Sequence, residues 1–163
     1  APALLWLNLV VGFGLGIGLC AEGSDEGDML IPPRPIKQIF FSRNYIVSLL
    51  LQGGWLLVLG LISYAIGGSA TLFVSLVMAE TMLAFSLRAE RSILKTGIFT
   101  NKVLLCALGV SVLSIILLVC TPLSGIFALG GITFGKLILA MLLGFVPLIA
   151  SEAYKFFEGR KLK

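Results

Sequence analysis

The 163-residue chain is 58% hydrophobic and only 12% charged, with a net charge of +4 and no histidine. A soluble domain carries about 25% charged residues, so this chain has too little charge to cover a water-facing surface, and lipid must face much of it. Its three cysteines, Cys20, Cys106 and Cys120, close no disulfide framework and have no zinc or haem spacing, and its basic residues form no patch that would make nucleic acid a partner.

The first apolar run is Ala3 to Cys20. It lacks a basic leader and a cleavage site, so it reads as a span rather than a signal peptide. Asn8 lies within it, and its side-chain carbonyl suits either a hard cation or a contact between helices. Gly12 and Gly16, and Gly14 and Gly18, form two small-xxx-small pairs that predict close neighbours on two faces. No basic residue follows the glycines, which excludes a phosphate-binding loop.

A polar segment, Ala21 to Asn44, follows with Pro32, Pro33 and Pro35. Its acidic cluster Glu22, Asp25, Glu26 and Asp28 is expected to be a solvated loop, with a cation funnel as the sharper alternative. The second run is Tyr45 to Ile66, in which Gln52 is expected to join helices. Gly67, Gly68 and Ser69 make a turn so short that the third run, Ala70 to Leu87, must return antiparallel.

Glu80 lies near the middle of that third run. An acid there costs about 2.5–3.5 kcal/mol on insertion scales, so it faces the bundle interior, either on an ion path or protonated and bonded to another helix. The polar, basic segment Arg88 to Lys102 leads to the fourth run, Val103 to Cys120. The uncharged stretch Thr121 to Thr133, with Pro122, leads to the fifth, Phe134 to Ala150. Lys136 can snorkel to the interface. Glu152 opposes the helix dipole, so it is expected to reach water or pair with Lys155 or Arg43.

Each run approaches the roughly 20 residues needed to cross the hydrocarbon core, and none alternates with period two. The expected fold is therefore an all-α membrane protein, one helical domain over 1–163 of about five transmembrane helices. Of the twelve lysines and arginines, all but Lys136 fall in alternate connections and the tail. The positive-inside rule then puts the N-terminus outside and the C-terminus in the cytoplasm.

Several motifs carry a family resemblance. Leu5-Trp6-Leu7-Asn8-Leu9-Val10, then Met29 and Pro32-Pro33-Arg34-Pro35, resemble the sixth membrane helix and following loop of calcium-type P-type ATPases. Glu80-Thr81-Met82-Leu83-Ala84-Phe85 with Arg88-Ala89-Glu90-Arg91-Ser92 resemble the eighth helix and its continuation. Gly97-Ile98-Phe99-Thr100-Asn101-Lys102 resemble the entry to the ninth helix, and Pro122, Phe127 and Glu152-Ala153-Tyr154-Lys155 resemble the end of the family. The resemblance implies that Asn8 and Glu80 are residual cation ligands. It also exposes departures. Val11 and Gly12 stand where the family has a ligating threonine and aspartate, and Leu15 where it has a proline. No phosphorylated-aspartate motif, nucleotide domain, actuator domain or fourth-helix ion motif occurs within these residues.

The expectation is a non-catalytic support module like the last helices of such a pump. The alternative is a stand-alone, pump-derived subunit with a structural role in a larger membrane complex. No catalytic residue and no cofactor is implied. The expected partners are the lipid bilayer and other transmembrane helices of a pump core or larger complex, and the expected site is the plasma membrane.

Overall fold

The computed structural model of the protein describes residues 2–23, 43–88, 100–127 and 129–161. Helix dominates these residues and no strand occurs among them, as lipid demands of any chain that must satisfy its backbone internally. The proline-rich loop motif, Asp25, Glu26 and Asp28, and the Ala89 to Phe99 motif lie outside the described residues.

Helix α1 spans Pro2–Cys20. Its stretch Leu7–Gly12 is wound as a π-helix, a local widening found often at functional sites. The next helical stretch, Arg43–Leu87, breaks at Gly67 (φ −150°, ψ 17°) and Gly68 (φ 68°, ψ −153°). Gly68 needs the freedom of glycine, because a side chain is strained at that positive φ. The break defines α2 (43–66) and α3 (69–87).

Four helices among the described residues are long and apolar enough to cross a membrane, rather than five separate ones. The second and third expected spans run together as the 42-residue stretch Ile46–Leu87. Drawn straight, it would measure about 63 Å, twice the hydrocarbon thickness. The chain instead folds back. In a straight helix Gly60 and Leu72 stand about 18 Å apart, yet Leu72 Cδ1 lies 3.4 Å from where a Cβ on Gly60 would be. The antiparallel hairpin expected from Gly67-Gly68-Ser69 is present.

Helix α4 spans Lys102–Cys120 and is capped by Asn101, whose Oδ1 accepts from the Leu104 N–H at 2.9 Å. A short 3₁₀ turn, Pro122–Gly125, follows. The last span was expected as one run ending at Ala150. It is instead two helices, α5 (Phe134–Leu143) and α6 (Val146–Lys161), separated at Gly144 and Phe145. Two causes act there. Pro147 has no N–H to bond back into α5. Gly144 presses so closely on α3 that an added Cβ would lie 2.4 Å from Met78 Cβ.

Helix α3 is the centre of the bundle. From Ala70 to Ser86 every side chain is buried except the narrow stripe Leu72, Leu76 and Glu80. In lipid the hydrophobic effect does not hold helices together, so close packing through small residues must. Ala70, Thr71, Ser75, Ala79, Ala84 and Ser86 supply them. Helix α1 buries only Leu7, Val11, Leu15 and Gly18, while Leu4, Leu5, Leu9, Phe13 and Ile17 stay exposed. It therefore lies at the edge of the bundle.

The two ends differ in chemistry. At the end holding the Gly67-Gly68 turn, Trp6 meets Phe127 edge-on (5.6 Å between centroids, 85°), and Phe127 meets Phe73 at 6.3 Å. Lys136 Cδ lies 3.3 Å from the place of a Cβ on Gly67. Arg88, Lys102 and Lys155 belong to the opposite end, called here the basic end, where α3 and α6 finish and α4 begins. The charge partition read from the sequence thus holds for these described residues.

Candidate functional site

Asn8 sits in the π-helical stretch, one residue after buried Leu7, so its side chain points away from the core and is exposed. Its Nδ2 donates to Leu4 O at 2.9 Å. That bond uses an N–H and leaves Oδ1, the atom a hard cation would bind, without a hydrogen bond among the described residues. Gly12, one turn on, is exposed on the same side, whereas Val11 is buried in the core. The two positions where the resemblance would place ligating side chains therefore offer no side-chain oxygen. One is turned inward and the other has no side chain.

Glu80 is half-buried on the one stripe of α3 that its neighbours do not cover. Among the described residues nothing donates to its carboxylate. The described contacts do not bring Asn8 and Glu80 together. Counted at 1.5 Å per residue from the contact between Glu22 and Arg88 at the basic end, Asn8 stands about 21 Å along its helix and Glu80 about 12 Å. The two oxygen-bearing groups thus lie at different depths of the bundle. No group of three or more His, Cys, Asp or Glu residues that could hold a metal occurs among the described residues.

Gln52 does not join helices as expected. Its Nε2 donates to Ser48 Oγ in its own helix at 3.2 Å. It lines a cavity of about 150 Å³ between α2 and α6, with Trp55, Pro147 and Tyr154 among the other walls. The glycine pairs of α1 are also only partly used. Gly18 packs tightly, with Leu104 Cδ1 at 2.9 Å and Leu104 Cα at 3.1 Å from its Cβ position. Gly14 and Gly16 meet nothing within 4 Å, and Gly12 meets only its own helix.

Two polar networks close the basic end, and the sequence reading missed most of both. In the first, Glu22 is not a plain solvated loop residue. Its Oε2 accepts from Asn101 Nδ2 at 2.6 Å, and its Oε1 lies 3.7 Å from Nε of Arg88, whose side chain is fully buried. The same Asn101 Nδ2 donates to Gly18 O at 2.8 Å. In the second, Ser86 Oγ donates to Glu152 Oε1 (2.8 Å) and pairs with the Ser151 hydroxyl at 2.9 Å. Lys155 Nζ donates to Glu152 Oε1 at 3.0 Å and to the Ser86 carbonyl. The pairing of Glu152 with Lys155 was legible from their spacing. The serines that join α3 to α6 were not, since nothing local marks a hydroxyl as a partner across 65 residues.

Comparison with known proteins agrees with this architecture. The family described as "Cation transporting ATPase, C-terminus" matches residues 1–157. A protein named Calcium-transporting ATPase 1 from Bacillus cereus is 28% identical over 179 residues, covering 93% of this chain and 20% of the relative. Another of that name from Schizosaccharomyces pombe is 25% identical over 172 residues, covering 99% of this chain and 19% of the relative. The chain thus spans about a fifth of the length of these curated relatives. With apolar helices long enough to cross a bilayer and a family match over nearly every residue, this is a multi-pass integral membrane protein of the cation-transporting ATPase C-terminal family.

Proposed function

We propose that this chain is the membrane support module of a P-type cation pump. It is non-catalytic by itself and lends Asn8 and Glu80 as oxygen ligands to an ion path completed by other helices. Both named relatives are calcium-transporting ATPases, so calcium is the cation to test first. The observation that carries the reading is the asymmetry of burial. Helix α3 is enclosed by its own bundle, whereas α1 leaves a whole face uncovered and sets Asn8 Oδ1 upon it. Lipid gives an amide oxygen no partner, while further pump helices with a cation between them would. A calcium site takes six to eight oxygens, so Asn8 and Glu80, at different depths, would each lend a ligand to the path rather than build a site together. The basic end faces the cytoplasm in this reading, and the plasma membrane is the proposed location.

The test is calcium-dependent ATP hydrolysis by the pump that contains this module. Glu80→Gln and Asn8→Ala should each raise the calcium needed for half-maximal activity by tenfold or more, or abolish the response. An unaltered calcium response in Glu80→Gln removes Glu80 from the ion path.

A second reading has one observation in its favour. Val11 and Gly12 remove the two ligands the resemblance expects beside Asn8, which suits a pump-derived subunit with a structural role in another membrane complex. Purification with native partners separates the two. An ATPase-bearing partner or contiguous domain supports the pump. A stable complex without any ATPase supports the structural subunit.

A further inference from the structure

We propose that Glu22 and Asn101 form a latch that ties together the basic ends of α1, α3 and α4, and that the π-helical stretch Leu7–Gly12 is the pivot about which the latched half of α1 moves when the latch opens. The inference does not depend on which cation, if any, the protein handles.

Three ties converge on the last turn of α1. Asn101 Nδ2 donates both to the Gly18 carbonyl (2.8 Å) and to Glu22 Oε2 (2.6 Å). The other face of the same amide, Oδ1, caps α4 through the Leu104 N–H. Glu22 Oε1 lies 3.7 Å from the buried Arg88 guanidinium that ends α3. One carboxylate and one amide therefore hold three helix ends. Loss of Glu22 removes the tie to α3 and one of the two links through Asn101, and loss of the Asn101 amide removes both ties between α1 and α4. Gly18 seats the same turn against the backbone of α4 beside Leu104.

At its other end α1 is held by Trp6 against Phe127. Between the two anchors α1 buries only three side chains. Gly14 and Gly16 meet nothing within 4 Å, Gly12 meets only Leu7 O of its own helix, and the buried contacts reduce to Leu7, Val11 and Leu15. The winding changes in this stretch, since Leu7–Gly12 is π-helical while Phe13–Cys20 returns to α. A change of winding followed by Gly14 and Gly16, where an added Cβ would meet nothing within 4 Å, makes this the softest part of the helix. Release at Glu22 therefore leaves the segment Phe13–Cys20 held to the basic end only through Asn101 and the packing of Gly18, and lets it swing about Leu7–Gly12 rather than shifting the whole helix.

The experiment is amide hydrogen exchange, read by mass spectrometry, on the purified chain in lipid nanodiscs. The reporters are amides bonded at the latch, Ala21 to Ile17 O, Glu22 to Leu19 O and Leu105 to Asn101 O. Glu22→Ala should speed exchange tenfold or more over residues 13–22 and 102–106, and leave residues 115–121, at the far end of α4, as in the parent. Glu22→Gln keeps an oxygen for Asn101 but loses the charge facing Arg88, and should speed the same two segments about threefold. It also serves if the alanine variant fails to fold. Asn101→Asp sets two carboxylates face to face and should open the latch as far as Glu22→Ala does. The native thiols give a second readout, because Cys20 lies beside the latch and Cys120 at the opposite end of the bundle. A water-soluble maleimide should label Cys20 faster in each variant and Cys120 at the parental rate. Parental exchange over residues 13–22 in both Glu22 variants overturns the proposal, and so does an equal rise over every helix, which means general loosening.

Discussion

Substitution of Gly144 by alanine isolates one steric contact. Gly144 has φ −60° and ψ −18°, a conformation alanine adopts without strain. By itself the change would restrict the unfolded chain and stabilise the protein by about 0.4–1 kcal/mol. Packing opposes it. The new Cβ would lie 2.4 Å from Met78 Cβ and 3.0 Å from both Ala79 N and Met78 C. Carbon atoms rest about 3.5–4.0 Å apart, so the last span and α3 must separate by about 1.4 Å. No flexible side-chain tip can give way, because the obstacles are backbone atoms and a Cβ of the most enclosed helix. Overpacking of this kind costs about 1–3 kcal/mol, which leaves about 1.3 kcal/mol of net destabilisation. For a chain of this size that lowers the melting midpoint by about 3–5 °C. Because membrane proteins unfold irreversibly, the midpoint is compared at a single scan rate, by tryptophan fluorescence in detergent. Gly16→Ala, with nothing within 4 Å, is the control and should melt at or slightly above the parental midpoint. If Gly144→Ala melts with the parent, the contact between the last span and α3 is looser than described and the reasoning fails.

Other outcomes can be checked in the same assay. Gly18→Ala meets mainly the movable Cδ1 of Leu104, with the Leu104 Cα at 3.1 Å behind it, so its midpoint should fall less than that of Gly144→Ala; the reverse order would contradict the packing. Among the described residues the buried Thr71 hydroxyl has no partner, whereas Thr81 Oγ1 donates to Val77 O at 2.7 Å. Thr71→Val should be neutral or gain up to about 1 kcal/mol, and Thr81→Val should lose about 0.5–1 kcal/mol; equal losses would count against the difference. Glu152→Ala removes the acceptor shared by Ser86 and Lys155 and should cost about 1–3 kcal/mol, with Glu152→Gln costing less because it keeps the Ser86 bond.

The parts of this fold that depend on local chemistry were legible in the sequence. Apolar length marked the spans, and a Gly-Gly pair between two of them marked a reversal, since only a residue free to take φ 68° turns the chain there without a loop. What depends on rotation about a helix axis was not legible. Four glycines at alternate positions of α1 look alike in sequence, yet only Gly18 packs on another helix, because the buried stripe runs through Leu7, Val11, Leu15 and Gly18. The same rotation turned Val11 inward and left Asn8 outside. One cause of the break at Gly144, Pro147, is local, but the other, the backbone of α3 at Met78 and Ala79, lies more than sixty residues away in sequence. Glu22 read as a loop acid for a similar reason, since its partners Arg88 and Asn101 belong to other helices and no periodicity links them.

The hairpin of α2 and α3 also bears on how the chain is made. With no loop between its arms, the apolar stretch Ile46–Leu87 offers no pause at which one arm could settle in the bilayer before the other arrives. The two arms must partition as a unit during synthesis. That decides the fate of Glu80, whose arm carries an insertion penalty of about 2.5–3.5 kcal/mol when it sits near the membrane centre. Leucine, isoleucine and valine side chains along α2, each worth about −0.3 to −0.6 kcal/mol at comparable depth, together outweigh that penalty. The acid is therefore delivered to mid-bilayer as a passenger of its apolar twin, and an insertion assay on the separated arms would find α3 the poorer of the two.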